Sequence, residues 1–252
     1  MAEAPLLWRQ ACLAVPEWRA RWRDEPDRGV ARLERILERF YEGSWLSMWR
    51  LRPRLRTDGV YVSRNTYLRR GVVELRSRVP VHLVVYFRYY AFYPNGTFLY
   101  RTTPAPPSTQ RVLSRPRAAL RQDGVLSGEL RVRDGAVHTV ITSTQGSLSH
   151  LHTWLRIRST TVGGNNRLDV RSMVSVDDGA DEPPEPAEDH DAYRQEAGLG
   201  WHAAHGGLGG WNDGTVRAFN RGLTPYVFVH WDDLDATELN LSAEELDYYV
   251  PG

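Results

Sequence analysis

The residues best equipped for chemistry in this chain are its histidines. His150 and His152 stand two apart in a run that reads as a strand, so both side chains leave the same face. His202 and His205 are three apart, with His190 and Asp191 upstream. Imidazoles and carboxylates are ligands that zinc accepts, and a metal-dependent enzyme using these groups is one reading. Nothing in the spacing gathers them, so they read as ordinary surface or hydrogen-bonded histidines rather than ligands. The reading adopted is no metal, no cofactor and no catalytic residue. Cys12 lies on a helical stripe, where a free cysteine is usually a small core residue rather than a nucleophile. The chain has no Walker loop, no G-x-G-x-x-G opening a helix, no G-x-S-x-G and no H-E-x-x-H. It also has no lysine, which removes Schiff-base and lysine general-base chemistry.

Arginine supplies the remaining chemistry. Arg88 lies among Tyr86, Tyr90 and Phe92 on one face of a strand. Inside a barrel it would be a cation over aromatics or a counter-ion for an acidic ligand; on an outward face it would be an amphipathic surface residue. Period alone does not decide which face is inside. Arg50, Arg52, Arg54 and Arg56, then Arg64, Arg69 and Arg70, form a basic stretch with Trp49 and Tyr61 nearby. Such a stretch can meet nucleic-acid phosphates. No nucleic-acid-binding motif accompanies it, so a structural or protein-binding role is expected. Surface arginine also suits acidic or phosphorylated peptides.

The elements that must position these residues follow from the patterning. The chain has 252 residues, net charge +1, 41% hydrophobic and 25% charged residues, which is ordinary globular composition. One cysteine excludes an intrachain disulfide and suits a reducing compartment. No apolar run reaches the roughly 18 residues of a membrane span, and Met1 to Gln10 does not read as a secretory signal. Residues 1–50 read as short amphipathic helices. Leu6, Leu7, Trp8, Ala11, Cys12 and Val15 make one stripe, Trp18 and Trp22 a second, and Val30, Leu33, Ile36, Leu37, Phe40 and Tyr41 a third that Gly43 stops.

Residues 51–252 read as an antiparallel β-barrel-like domain. Val81 to Tyr93 is a long β-branched and aromatic run, Pro94-Asn95-Gly96 is a turn, and Thr97 to Thr103 returns. Val85, Phe87, Tyr89, Ala91 and Tyr93 share one face; Val84, Tyr86, Arg88, Tyr90 and Phe92 share the other. Both are aromatic, so both should be covered. Further strands run over 125–133, 136–143, 150–158, 168–176, 216–219 and 226–231. The span 177–191, DDGADEPPEPAEDHD, has too little apolar surface to fold alone and reads as a disordered acidic loop. Gly198 to Gly214 is glycine-rich, with Trp201 and Trp211 expected to dock on the body. The acidic tail from Leu234 carries Leu239, Leu241, Leu246, Tyr248 and Tyr249, suited to packing or to a partner.

Three stretches carry a resemblance. Leu6-Leu7-Trp8-Arg9-Gln10-Ala11-Cys12-Leu13 is similar to the end of an F-box and the segment after it. Arg52-Pro53-Arg54-Leu55-Arg56-Thr57-Asp58-Gly59-Val60-Tyr61-Val62-Ser63 continues to Thr66-Tyr67-Leu68-Arg69-Arg70-Gly71. Tyr86-Phe87-Arg88-Tyr89-Tyr90-Ala91-Phe92-Tyr93-Pro94-Asn95-Gly96 is followed by Thr102-Thr103-Pro104. Their order and spacing resemble the C-terminal region of the F-box only protein 9 family. The resemblance runs from Leu6 to about Val176 and returns at Thr215 to Trp231.

That resemblance implies a non-catalytic substrate-recognition subunit of an SCF-type, cullin–RING ubiquitin ligase, in the cytoplasm or also the nucleus. It implies a Skp-type adaptor and a cullin as partners where an upstream F-box exists, because the body of an F-box would precede Trp8. It implies a protein substrate, acidic or phosphorylated, and no nucleic acid. The residues expected to contact substrate are Arg88, Tyr86, Tyr90, Trp154 and Trp211, exposed on the barrel. The mechanism would be proximity, raising the effective concentration of a substrate lysine near the charged conjugating enzyme. Absence of lysine would spare the receptor itself, although codon usage in a GC-rich genome accounts for it too. The alternative outside this class is a barrel that carries a small apolar molecule, which an interior filled by side chains would remove.

Overall fold

Hydrophobic period changes from helical to alternating between Leu51 and Gly59, and the backbone changes with it. The computed structural model describes residues 5–15, 18, 26–70, 81–143, 149–179, 182–183, 186, 216–219 and 223–246. Helices α1 (Pro5–Ala14), α2 (Pro26–Tyr41) and α3 (Trp45–Leu51) come first. They bury Cys12, Val15, Trp18, Leu33, Leu37 and Met48 against one another. The α2 helix ends where expected: Gly43, at φ 73°, donates its N–H to the Leu37 carbonyl at 3.3 Å. Ser44 then caps α3, its hydroxyl accepting from the Ser47 N–H. Three apolar residues of the expected stripes face solvent instead. Leu6, Leu7 and Phe40 are 74%, 58% and 64% exposed, because each helix packs on one narrow side only. Trp22 lies outside the described residues.

The remaining strands are β1 (Gly59–Arg70), β2 (Val81–Phe92), β3 (Phe98–Thr103), β4 (Val125–Leu126), β5 (Gly128–Arg133), β6 (Ala136–Ser143), β7 (Ser149–Arg158), β8 (Arg167–Asp177), β9 (Val216–Ala218) and β10 (Tyr226–His230). They pair in the order β4-β3-β2-β1-β10-β8-β7-β6-β5, with β9 added on β8, and every pairing is antiparallel. The two ends of this path, β4 and β5, are adjacent in the chain. One stretch, 125–133, therefore pairs first with β3 and then with β6, and curls the sheet into a nearly closed barrel. Closure of this kind hides the edges that a flat sheet would expose.

Alternation along the strands sorts the side chains as the sequence predicts. Tyr61, Tyr90, Phe92, Phe98, Tyr100 and Tyr226 fill the interior with Val137, Ile141, Leu155, Ile157, Leu168 and Val170. Tyr90 stands at the centre, with ring centroids 4.9 Å from Tyr100 and 5.2 Å from Tyr226. The interior is thus a packed core, which removes the ground for reading the barrel as a small-molecule carrier. On the outer side of β1, β2, β3 and β10, the opposite face (Val60, Val62, Phe87, Tyr89, Ala91) is covered by Leu113, Ala119 and Leu234. Tyr89 donates to the Ala105 carbonyl at 2.8 Å and so fixes that covering segment. Leu234 and Leu239 of the tail pack here, whereas Leu241 is exposed; Tyr248 and Tyr249 lie outside the described residues.

The helices meet the barrel through the basic stretch. Trp18 donates its indole N–H to the Pro53 carbonyl at 3.1 Å. The guanidinium groups of Arg52, Arg54 and Arg56 lie over Trp18, Trp49 and Phe228 at 4.7, 3.7 and 3.7 Å. Arg56 also grips Asp58 with two hydrogen bonds of 3.0 and 2.6 Å. These three arginines join the helical segment to the barrel. No helix among the described residues is long and apolar enough to cross a membrane.

Candidate functional site

The outer face of β5 to β8 differs from the rest of the barrel. Here Arg131-Val132-Arg133 and Arg156-Ile157-Arg158 alternate, so the valine and isoleucine turn toward the core cluster and the arginines turn out. The Asp134-Gly135 turn joins β5 to β6 with both residues at positive φ, 47° and 83°. A side chain on Gly135 would press on Pro53, whose Cβ lies 3.0 Å from where a new Cβ would be. The tight turn thereby seats the hairpin against the arginine-rich connection from the helices. Register then aligns Arg131 with His138 and His138 with Trp154, and Ala136 with Arg156.

The result is a cleft of about 960 Å³, lined by Arg131, Arg133, Arg156, Arg158 and Arg171. The acids on its wall are Asp134 and Glu182. Trp154 and His138 form its apolar patch, and Pro183 and Pro186 close one side. A row of cations beside an aromatic wall is suited to an anionic partner with a flat or apolar neighbour group. Arg131 bonds Glu182 at 2.5 Å and Glu129 at 3.3 Å, and Asp169 takes Arg158 at 3.5 Å and Arg167 at 2.5 Å.

Three rings are stacked together here, of which His138 and Trp154 line the cleft. His138 lies on Trp154 with centroids 4.5 Å apart and planes 4° apart, and His152 lies 5.8 Å from the same indole. His138 Nε2 and His152 Nδ1 face each other at 3.2 Å. Burial, with the neighbouring His152 and Arg131 adding to it, pushes His138 down to about 4. Burial lowers His152 too. Both rings are therefore neutral at pH 7. The carboxylate of Glu182 joins them, with the three ligand atoms all within 4.8 Å of one another.

The residues expected to touch substrate separate on this structure. Trp154 is in the cleft wall, though only 6% exposed. Tyr90 is wholly buried at the barrel centre, because its strand face is the inner one. Arg88 shares that inward face, is 7% exposed, and lies 5.5 Å from the Tyr86 ring. Of the two readings left open by period, the inward one holds for Arg88. Tyr86 is half-buried and packs edge-on against Tyr67. Neither Arg88, Tyr86 nor Tyr90 lines the cleft. Trp211 lies outside the described residues, as do His190, Asp191, His202 and His205.

His150 does not join His152. It faces Thr142 and Asp178, each at 3.2 Å, and His138 takes the place beside His152. The cleft arginines, His138 and Glu182 were not singled out from the sequence. The signal was present in the alternating arginines on both sides of a Gly turn, which mark a basic outer face.

Comparison with known proteins supplies the family. The model for the F-box only protein C-terminal region matches residues 34–252. The chain belongs to this family. Among its relatives, F-box protein pof7 of Schizosaccharomyces pombe is 31% identical over 112 residues, 44% of this chain and 30% of that protein. F-box protein HRT3 of Saccharomyces cerevisiae is 32% identical over 83 residues, 32% of this chain and 24% of that protein. The matched region thus spans under a third of either relative's length. No solved structure matches. Family membership agrees with the resemblance carried by the stretches around Arg52 to Gly71 and Tyr86 to Pro104.

Proposed function

We propose that this chain is the substrate-holding part of an SCF-type ubiquitin ligase and does no chemistry of its own. Membership of the F-box only protein family supports the ligase role in general. The observation that carries the finer reading is the cleft on β5 to β8, where five arginines face two acids around Trp154. Its substrate is a protein segment bearing carboxylates or phosphates, held by the cleft arginines. Bidentate arginine contacts give such a cleft its preference for oxyanions. Bound there, a substrate lysine reaches the charged conjugating enzyme at high effective concentration.

The partners are a Skp-type adaptor and a cullin, contacted through an F-box joined to this region. The test is affinity purification from native extract of this chain and of a version extended by an F-box, read by mass spectrometry. Adaptor and cullin should follow the extended version. Proteins retained by both should be lost together on Arg156→Glu. Retention of the same proteins by the charge-reversed variant would remove the cleft from the mechanism, and absence of adaptor and cullin from both samples would remove the ligase role.

A further inference from the structure

We propose that His138, His152 and Glu182 form a binding site for one zinc-type divalent cation beside the arginine cleft. Two of its ligands come from paired strands, which hold them rigidly. His138 is on β6 and His152 on β7, and their facing nitrogens are 3.2 Å apart. Two nitrogens bound to one tetrahedral zinc at the usual bond length stand about 3.3 Å apart. The pair, joined here by a hydrogen bond, is close to ligand spacing, and an ion would take the place of the bridging proton, which moves to that ring's other nitrogen as the rings turn.

The chemistry of the ligand set agrees. Imidazole nitrogens from two paired strands are rigidly placed donors of the type zinc accepts. The Trp154 indole fixes the His138 plane from below. Glu182 is half-exposed and within 4.8 Å of both nitrogens, so a side-chain rotation closes the third position. Arg131 donates to its Oε1, the kind of supporting bond that orients a ligating carboxylate. Two imidazoles and one carboxylate suit zinc or its first-row neighbours, and not calcium or magnesium, which take oxygen ligands. A fourth position remains for water or for an oxyanion in the cleft.

The consequence is structural. Glu182 belongs to the acidic stretch that follows β8, whereas both histidines belong to the barrel. An ion shared among them ties Glu182 to the β6–β7 face, beside Pro183 and Pro186 in the cleft wall. It also adds positive charge to a site already rich in arginine. This inference stands apart from the ligase reading, since the site needs no substrate to form.

The experiment uses the full chain stripped with chelator. Zinc is titrated in by calorimetry, and cobalt is added separately and followed by its visible absorption bands. One equivalent of zinc should bind, cobalt should give tetrahedral-type bands, and calcium and magnesium should give no heat. Glu182→Gln, His138→Ala and His152→Ala should each weaken zinc by at least the roughly tenfold that losing a mere supporting partner costs a metal site. His150→Ala should leave it unchanged, because that ring is turned to Thr142 and Asp178. Glu182 is on the surface, so Glu182→Gln folds even if a histidine variant does not. No zinc binding, binding that survives all three substitutions, or an equal loss with His150→Ala each overturns the site.

Discussion

The phenol of Tyr90 on β2 crosses the barrel interior to the hydroxyl of Thr139 on β6, 3.0 Å away. The two strands are not neighbours in the sheet, so this bond ties opposite walls of a core otherwise held by aromatic packing. Both groups are fully buried. Tyr90→Phe keeps the ring contacts and leaves the Thr139 hydroxyl without this bond. Loss of one buried partner costs about 1–3 kcal/mol. Urea unfolding should show that loss with an unchanged slope, and a stability equal to the parent would mean the bond contributes nothing.

The same core sets the alkaline limit of the fold. Burial raises the phenols of Tyr90, Tyr100 and Tyr226 above the ordinary tyrosine value. The folded chain therefore keeps protons that the unfolded chain releases above pH 10. Stability is full below pH 10 and falls as pH rises through the window between the unfolded and folded values. Phenolate absorbance should appear in two stages, the second coinciding with loss of far-UV β-sheet signal. A single smooth titration with the fold intact would contradict the buried placement.

Cys12 offers a test of the helical segment. Burial pushes its thiol up to about 11, against the lowering influence of Arg54 and Arg52, and its Sγ contacts the Trp45 carbonyl at 3.5 Å. Thiolate is the reactive form, so almost none exists at pH 8. Iodoacetamide should leave the native chain unmodified and label it fully in denaturant. Rapid labelling of the native chain would show that α1 does not stay docked on α3.

What could be read in the sequence was whatever depends on local period. The two faces of β2 were legible because alternation over twelve residues is unambiguous and both faces are aromatic. The Gly43 stop and the Asp134-Gly135 turn were legible because positive φ selects these residue types. Barrel closure was not, because it depends on 125–133 pairing with two strands distant in sequence. The direction of Arg88 was not, because alternation gives two faces without saying which is inside. The site suffered most from this. His150 and His152 share a face, yet the partner of His152 is His138, brought there by the β6–β7 register, and Glu182 arrives from a stretch whose composition suggested no structure at all.

Gly135 is the point on which the cleft hairpin turns. Its φ of 83° strains any other residue, and a new Cβ would press on Pro53 at 3.0 Å. Gly135→Ala should destabilise the chain by roughly 1 kcal/mol or more, and amide exchange should rise first in β5 and β6. A neutral effect would mean that the hairpin does not rest on the Pro53 segment.

Charge reversal in the cleft separates recognition from folding. Arg133 is almost fully exposed and its contact with Asp134 is long, at 3.9 Å, and such surface pairs contribute little to stability. Arg133→Glu should leave the unfolding midpoint near the parent's, since surface substitutions usually stay within about 0.5 kcal/mol, and Arg156→Glu, at a half-buried position, is read beside it with its own midpoint. Binding of an acidic or phosphorylated peptide should respond quite differently. Each reversal replaces an attraction by a repulsion, so affinity should fall at least about tenfold, a change of about 1.4 kcal/mol. Added salt should weaken the parent's binding and affect the doubly reversed variant little, because screening acts on the attraction that the variant lacks. Fluorescence polarisation of a labelled peptide at two ionic strengths reads both effects. A phosphopeptide that binds parent and variant alike would place recognition elsewhere on the barrel.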